Sequence, residues 1–290
     1  MTIPWRLLPL VAALALTGCG DDKPIAPDDK DSESGVEDNI ETGAPDGIEP
    51  EPEPEPDFTT LSGNVADGYL QSALVCADLN MSMTCDADEP QANSEENGSW
   101  TMEISSELMS AGTRILAEAT ADVTVDEDTG KPIENGYTLM TEVPVDQQGD
   151  PIFVSPLTTL IAYEAMNGQW ASAAEAEEAI KSRLTTTADL GADYIAAKQN
   201  EALSEDEKQE FEYIHRIARL VATIKGIREE SLRQLGGYSA EEIATAGTED
   251  IVAALDVINV DARAELDEGS TFDPKAIIEN GNYVNVTLND

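Results

Sequence analysis

The chain is 290 residues long, room for one or two domains; 41% of it is apolar but only 5% aromatic, so any core rests on Leu, Ile, Val and Ala. Its 59 acidic against 16 basic residues leave a formal net charge of −43, which repels phosphate backbones and argues against a nucleic-acid partner. Salt relieves such self-repulsion, so the charge suits a saline setting or divalent cations, and it equally serves plain solubility.

Residues 1–18 read as a targeting segment. The amino terminus and Arg6 supply positive charge, and Leu7 to Leu16 form an apolar stretch too short to span a bilayer. Leu16-Thr17-Gly18-Cys19 follows directly and resembles the lipobox of bacterial lipoproteins. The resemblance implies cleavage before Cys19 and acylation of its thiol. One acyl chain holds a protein only marginally, each buried methylene adding about 0.8 kcal/mol, so the several chains of such an anchor make retention effectively permanent. In that family an aspartate directly after the cysteine retains the protein in the inner membrane. Gly20 stands here, so the expected location is the outer membrane, on its periplasmic or cell-surface face. With Cys19 assigned to lipid, Cys76 and Cys85 remain. Export to an oxidising compartment predicts that they pair, the alternative being two free thiols. So short a loop gains about 2–3 kcal/mol at most from the link.

Residues 19–57 read as a tether. They are rich in Asp, Glu, Pro and Gly and end in Glu49-Pro50-Glu51-Pro52-Glu53-Pro54-Glu55-Pro56. Alternating proline forbids helix, favours extended polyproline geometry at about 3.1 Å per residue, and is stiffened further by like charges. A tail without a role would look the same.

Residues 58–154 carry strand signals. Leu61 to Val65 alternates, Ala73 to Cys76 is a short apolar run, and Gly98 to Ile104 alternates after an Asn97-Gly98 turn. Arg114 to Val125 is rich in β-formers, and Tyr137 to Thr141 follows turn signals at Asp128-Thr129-Gly130 and Asn135-Gly136. Short strands at this spacing predict a β-sandwich. Residues 155–290 read as helical. Ser155-Pro156 is an N-cap with proline in the first turn, and Ser204 with Glu207 is a capping box. Phe211, Ile214, Ile217, Ala218, Val221 and Ile224 then share one helix face, and the pattern predicts a helix from Ser204 to Gly226. Thr248 is expected to cap a helix running to about Leu266, Asp273-Pro274 to start a short one, and Tyr283 to Leu288 to form a final strand. The fold class is therefore α+β, a sandwich followed by a helical domain.

The sharpest chemical pattern lies between the two cysteines and just beyond. Asp78, Asn80, Ser82, Asp86 and Glu89 occupy positions 1, 3, 5, 9 and 12 of a twelve-residue loop, with the Thr84 carbonyl at position 7. Calcium takes six to eight oxygens from a loop of this spacing. Position 6, ordinarily glycine, is Met83, whose side chain disfavours the left-handed backbone required there, and two flanking helices are not evident. An EF-hand proper is not expected. Two readings stay open: a calcium-bearing loop between strands, or an acidic turn clipped by a disulfide without metal.

Ser62-Gly63-Asn64-Val65-Ala66-Asp67-Gly68-Tyr69-Leu70, Ala73 to Asp78, and Cys85-Asp86-Ala87-Asp88-Glu89-Pro90 together resemble a module of surface proteins and lipoproteins of aquatic Gram-negative bacteria. The module is similar to the carboxypeptidase-regulatory-like and SdrD B-like sandwiches of transthyretin-like (prealbumin-like) topology. Asp126 to Gly130 and Val154 to Leu160 also match such chains, where a helical region follows. The resemblance covers about half the chain. It implies a non-catalytic extracellular module, with calcium in some relatives.

Catalytic patterns are sparse. His215 is the only histidine, so common zinc sites lack a second imidazole, a serine or cysteine triad would depend on His215 alone with no nucleophile motif nearby, and no phosphate-cradling glycine loop is present. The abundant carboxylates leave a two-carboxylate hydrolase open but single out no pair. The reading is a non-enzymatic module anchored to the membrane through lipid, with a protein or polysaccharide ligand that the sequence does not name. Its rivals are an anchored enzyme acting on an envelope polymer, marked by a pocket with two facing carboxylates of raised pKa, and a helical adaptor of an envelope complex, using residues 204–266 and marked by an exposed apolar patch.

Overall fold

A computed structural model describes residues 57–109, 112–143, 149–264, 271–281 and 283. The targeting segment, Cys19, the Pro/Glu tract up to residue 56 and nearly all of the expected final strand lie outside the described residues.

The strands come first in the chain. They are β1 (Phe58–Val65), β2 (Leu70–Gln71), β3 (Leu74–Asp78), β4 (Gln91–Asn93), β5 (Ser99–Ser105), β6 (Arg114–Ala119), β7 (Val125–Asp126), β8 (Lys131–Pro132), β9 (Tyr137–Glu142) and β10 (Ile152–Val154). The helices follow as α1 (Pro156–Met166), α2 (Ala173–Leu184), α3 (Tyr194–Gln199), α4 (Glu205–Leu235), α5 (Ala240–Ala253), α6 (Leu255–Ala262) and α7 (Pro274–Asn280). The fold is mixed α+β, with three small sheets ordered β10-β1-β5, β2-β7-β8 and β4-β3-β6-β9.

Burial explains the strand patterns. The first sheet has one wet face, and β1 and β5 alternate accordingly, with Leu61, Val65, Trp100, Met102 and Ile104 turned inward. The four-stranded sheet is covered on both faces, so β3, β6 and β9 are buried along most of their length rather than at alternate residues. Its inner side chains, among them Val75, Ile115, Ala117 and Leu139, share a core with those of the first sheet. On its outer face Cys76, Leu116 and Met140 pack against Ala162 and Tyr163 of α1 and Ala244 of α5. One pairing was not signalled by sequence: β10 runs parallel to β1, placing Ile152 opposite Gly63, and then leads directly into α1.

A second core surrounds α4, which spans about 46 Å at 1.5 Å per residue. Ile214, Ile217, Leu220, Val221 and Ile224 meet Leu160 of α1, Ile180 of α2, Ile251 of α5 and Ile258 of α6, and the same cluster takes in Ala66 and Phe153 from the strand region. The described residues accordingly form one compact unit.

Helix starts follow their caps. Ser155 and Thr158 form a reciprocal capping box with Pro156 in the first turn, Ser204 does the same with Glu207, and Asp273 caps α7. The Thr248 expectation is corrected. The cap is Ser239, boxed with Glu242, and Thr248 sits buried in the middle of α5 with its hydroxyl on the Ala244 carbonyl. α4 also runs past Gly226 to Leu235. The start of α1 has a further duty. The Thr158 hydroxyl donates to Met140 O at 3.0 Å and Thr159 Oγ1 accepts the Met140 N–H at 2.9 Å, while Glu229 of α4 accepts the Thr138 N–H at 3.2 Å. Side chains thus take the place of a neighbouring strand along the outer side of β9.

Candidate functional site

The Asp78–Glu89 loop joins β3 to β4, and its base closes where the Ala77 N–H meets Pro90 O at 3.0 Å. Cys76 and Cys85 are disulfide-bonded with Cα atoms 5.5 Å apart, pinning the loop back onto its own strand. The Cys85 N–H adds a bond to Glu118 of β6 at 2.9 Å.

The methionine at the glycine position does adopt the left-handed backbone. Met83 has φ 62° and Met81 has φ 60°. Each costs on the order of 1–2 kcal/mol. The Met83 side chain is buried at 3% exposure against Arg114, whose Nη1 lies 3.0 Å from its sulfur. Its N–H donates to Asp78 Oδ2.

The two left-handed steps curl the loop so that its six candidate ligands separate into two groups. Asn80, Ser82, Thr84 and Asp86 converge on the outside: Ser82 Oγ lies 3.0 Å from Asp86 Oδ2 and 3.2 Å from Thr84 O, and Asn80 Nδ2 donates to Asp86 Oδ2 at 2.8 Å. Asp78 and Glu89 lie buried within. Asp78 accepts the Ser82 N–H at 2.8 Å and forms an ion pair with Arg114 at 3.2 Å. Glu89 accepts backbone N–H groups from Leu79 at 2.8 Å and Asp86 at 3.2 Å. Among the described residues no three carboxylate, imidazole or thiolate side chains are gathered as a metal cage. The outer group can offer a hard cation the oxygens of Ser82, Thr84 and Asp86, and that of Asn80 once its amide turns from Asp86, yet it brings one carboxylate. Sequence spacing could not separate the two groups, because Arg114 arrives from a strand 36 residues away.

The other candidate side chains have structural work. Ser155 is fully buried in its cap, and His215 is buried with Nε2 2.8 Å from Asp128 Oδ2 and Nδ1 2.6 Å from Lys198 Nζ. Asp67 and Asp126 are two carboxylates of raised pKa, in both cases chiefly through burial. They are absent from the lining of the cavity of about 370 Å³ bounded by Thr84, Glu118, Thr138, Glu229, Arg233 and Ile243. In that cavity Arg233 is already bonded to Glu229 and to Gly136 O.

No family model, curated protein or solved structure matches the chain. No described helix is long and apolar enough to cross a membrane.

Proposed function

We propose that the protein is a non-catalytic outer-membrane lipoprotein, acylated at Cys19, whose acidic tether displays a transthyretin-like body for binding a protein or polysaccharide, with a weak calcium site in the β3–β4 loop. The observation that carries the body's part of this reading is the convergence of Asn80, Ser82, the Thr84 carbonyl and Asp86 on a disulfide-pinned hairpin tip. The anchor rests on Leu16-Thr17-Gly18-Cys19 and the tract that follows it.

Charge count sets the affinity class. Of the three carboxylates at ligand positions, Asp78 is neutralised by Arg114 and Glu89 is held by backbone N–H groups, which leaves Asp86 to face an incoming ion. Sites so poor in charge fall near 10⁻⁴–10⁻³ M, the range of extracellular modules, with water completing the ligand shell. Addition of 10 mM calcium is therefore expected to raise the unfolding free energy of the full chain by RT ln(1 + [L]/Kd), about 1.4–2.7 kcal/mol, and its melting temperature with it, and Asp86→Asn to abolish the rise. A wild-type melting temperature indifferent to calcium removes the metal from this reading.

The anchor is tested separately. Cys19→Ser is expected to move the protein from the membrane fraction to the soluble fraction, since no acyl chain remains to be buried. Sedimentation of that variant with outer membrane after a salt wash would contradict lipid attachment.

A further inference from the structure

The turn after β1 buries an acidic cluster. Asp67 is 9% exposed. Its Oδ2 accepts the Tyr137 hydroxyl at 2.7 Å, and its Oδ1, fully enclosed, has no hydrogen-bond partner among the described residues. The β7–β8 hairpin lies directly over this turn. A methyl group on Gly68 would stand 2.5 Å from Asp126 Oδ1 and 2.7 Å from the Asp128 carboxyl carbon, so only glycine lets both carboxylates settle against this turn. The Glu127 N–H reaches Tyr69 O at 2.9 Å, and β7 pairs with β2.

Charged and titratable neighbours close in from every side. The hairpin supplies Asp126 and Asp128, and β9 supplies Tyr137. From α3, Tyr194 donates to Asp67 O at 3.1 Å, Asp193 accepts from Tyr69 and Lys198 faces His215. From α4, His215 and Arg219 both face Asp128. The cations lie on the far carboxylate. Asp128 is lowered because the bond to His215 and the charges of His215, Arg219 and Lys198 outweigh its burial. Arg219 lowers Asp67 less than burial and Asp126 raise it.

We propose that the fold holds Asp67 in its protonated form, and that this one proton latches the β7–β8 hairpin onto the turn that follows β1. An ionised Asp67 would place a bare oxygen in a dry site under the repulsion of the Asp126 charge. Protonation removes that charge, and with it the repulsion between the turn and the hairpin. Burial first, then the Asp126 charge, pushes Asp67 up to about 7. The folded value lies above the unfolded one, so the latch is whole below about 4, weakens as pH rises, and adds nothing above about 7.

Carboxyl-carbon NMR of the full chain is expected to show one aspartate titrating near 7 that disappears in Asp67→Asn. Hydrogen exchange corrected for intrinsic rates should show the Glu127 and Ile133 amides losing protection by up to tenfold per pH unit between about 5 and 7. In Asp67→Asn that loss should be absent. Tyr137→Phe, which removes the hydrogen bond that steadies the anion, should move the midpoint upward and serves if Asp67→Asn does not fold. An aspartate spectrum without a midpoint near 7 overturns the proposal, as does a midpoint unmoved by Tyr137→Phe. Suppression of the titration by millimolar calcium would make the cluster a cation site, and overturns it too.

Discussion

Glu229→Gln is expected to lower the unfolding free energy by about 3–5 kcal/mol, because it strands a positive charge in the interior. Lys225 and Glu229 are 1% and 0% exposed and lie 2.8 Å apart, one turn apart on α4. Lys225 completes its shell with the Ala244 carbonyl at 2.8 Å and the Thr248 hydroxyl at 3.0 Å, which ties α4 to α5. Glu229 completes its own with the Thr138 N–H and Arg233, which ties α4 to β9. An amide keeps the volume but not the charge, so the ammonium of Lys225 loses its only fully buried counter-ion while remaining out of water. The double variant Lys225→Met with Glu229→Gln should recover part of the loss, since no unpaired ammonium is then buried. Urea unfolding of the two single variants and the double variant, read as a cycle, checks this. A double variant as unstable as the sum of the two singles would show that the pair is not acting as a pair.

Gly63→Ala is expected to cost at least about 3 kcal/mol, at the upper end for overpacking. Gly63 sits between β10 and β5, opposite Ile152 on one side and Trp100 on the other. A methyl group there would stand 1.8 Å from Ile152 O and 2.7 Å from its carbonyl carbon. Both are main-chain atoms, so no rotamer change relieves the overlap and β10 must part from β1. Because β10 leads into α1, the displacement reaches the helical core. Gly191→Ala is the control: its new methyl would meet only Asp189 Oδ1 at 3.4 Å, and its stability should stay within about 0.5 kcal/mol of wild type by thermal or urea unfolding.

Local signals in the sequence were read well where the chain itself supplies the partner. Ser155, Ser204 and Asp273 bond to N–H groups within their own first turn, and each marks a true helix start. Alternation in β1 and β5 follows from one wet face. The Cys76–Cys85 pairing followed from counting cysteines against compartment. Competing local signals, and signals that depend on distant partners, are opaque. Ser239 with Glu242 carries the same box as Ser204, yet the apolar spacing after Thr248 drew the helix start downstream, because an α5 threonine bonding back to Ala244 looks in sequence like a cap. The parallel β1–β10 pair joins residues about ninety apart, with nothing local to announce it. Met83 shows that a left-handed position can be held by burial of its side chain rather than by glycine, which no residue-type rule reveals. Asp67 and Asp126 lie inside motifs that carry the resemblance, but the close approach of Asp126 to the turn depends on the bare Gly68.

The threonines at the head of α1 have an effect beyond the single molecule. The exposed border of a β-sheet ordinarily presents unmet donors and acceptors that invite a foreign segment to add on. At Met140 and Thr138 those groups are already taken by hydroxyls and a carboxylate from the protein's own helices. Copies crowded side by side would find no purchase there for edge-to-edge aggregation, and any such growth would have to begin at a different border.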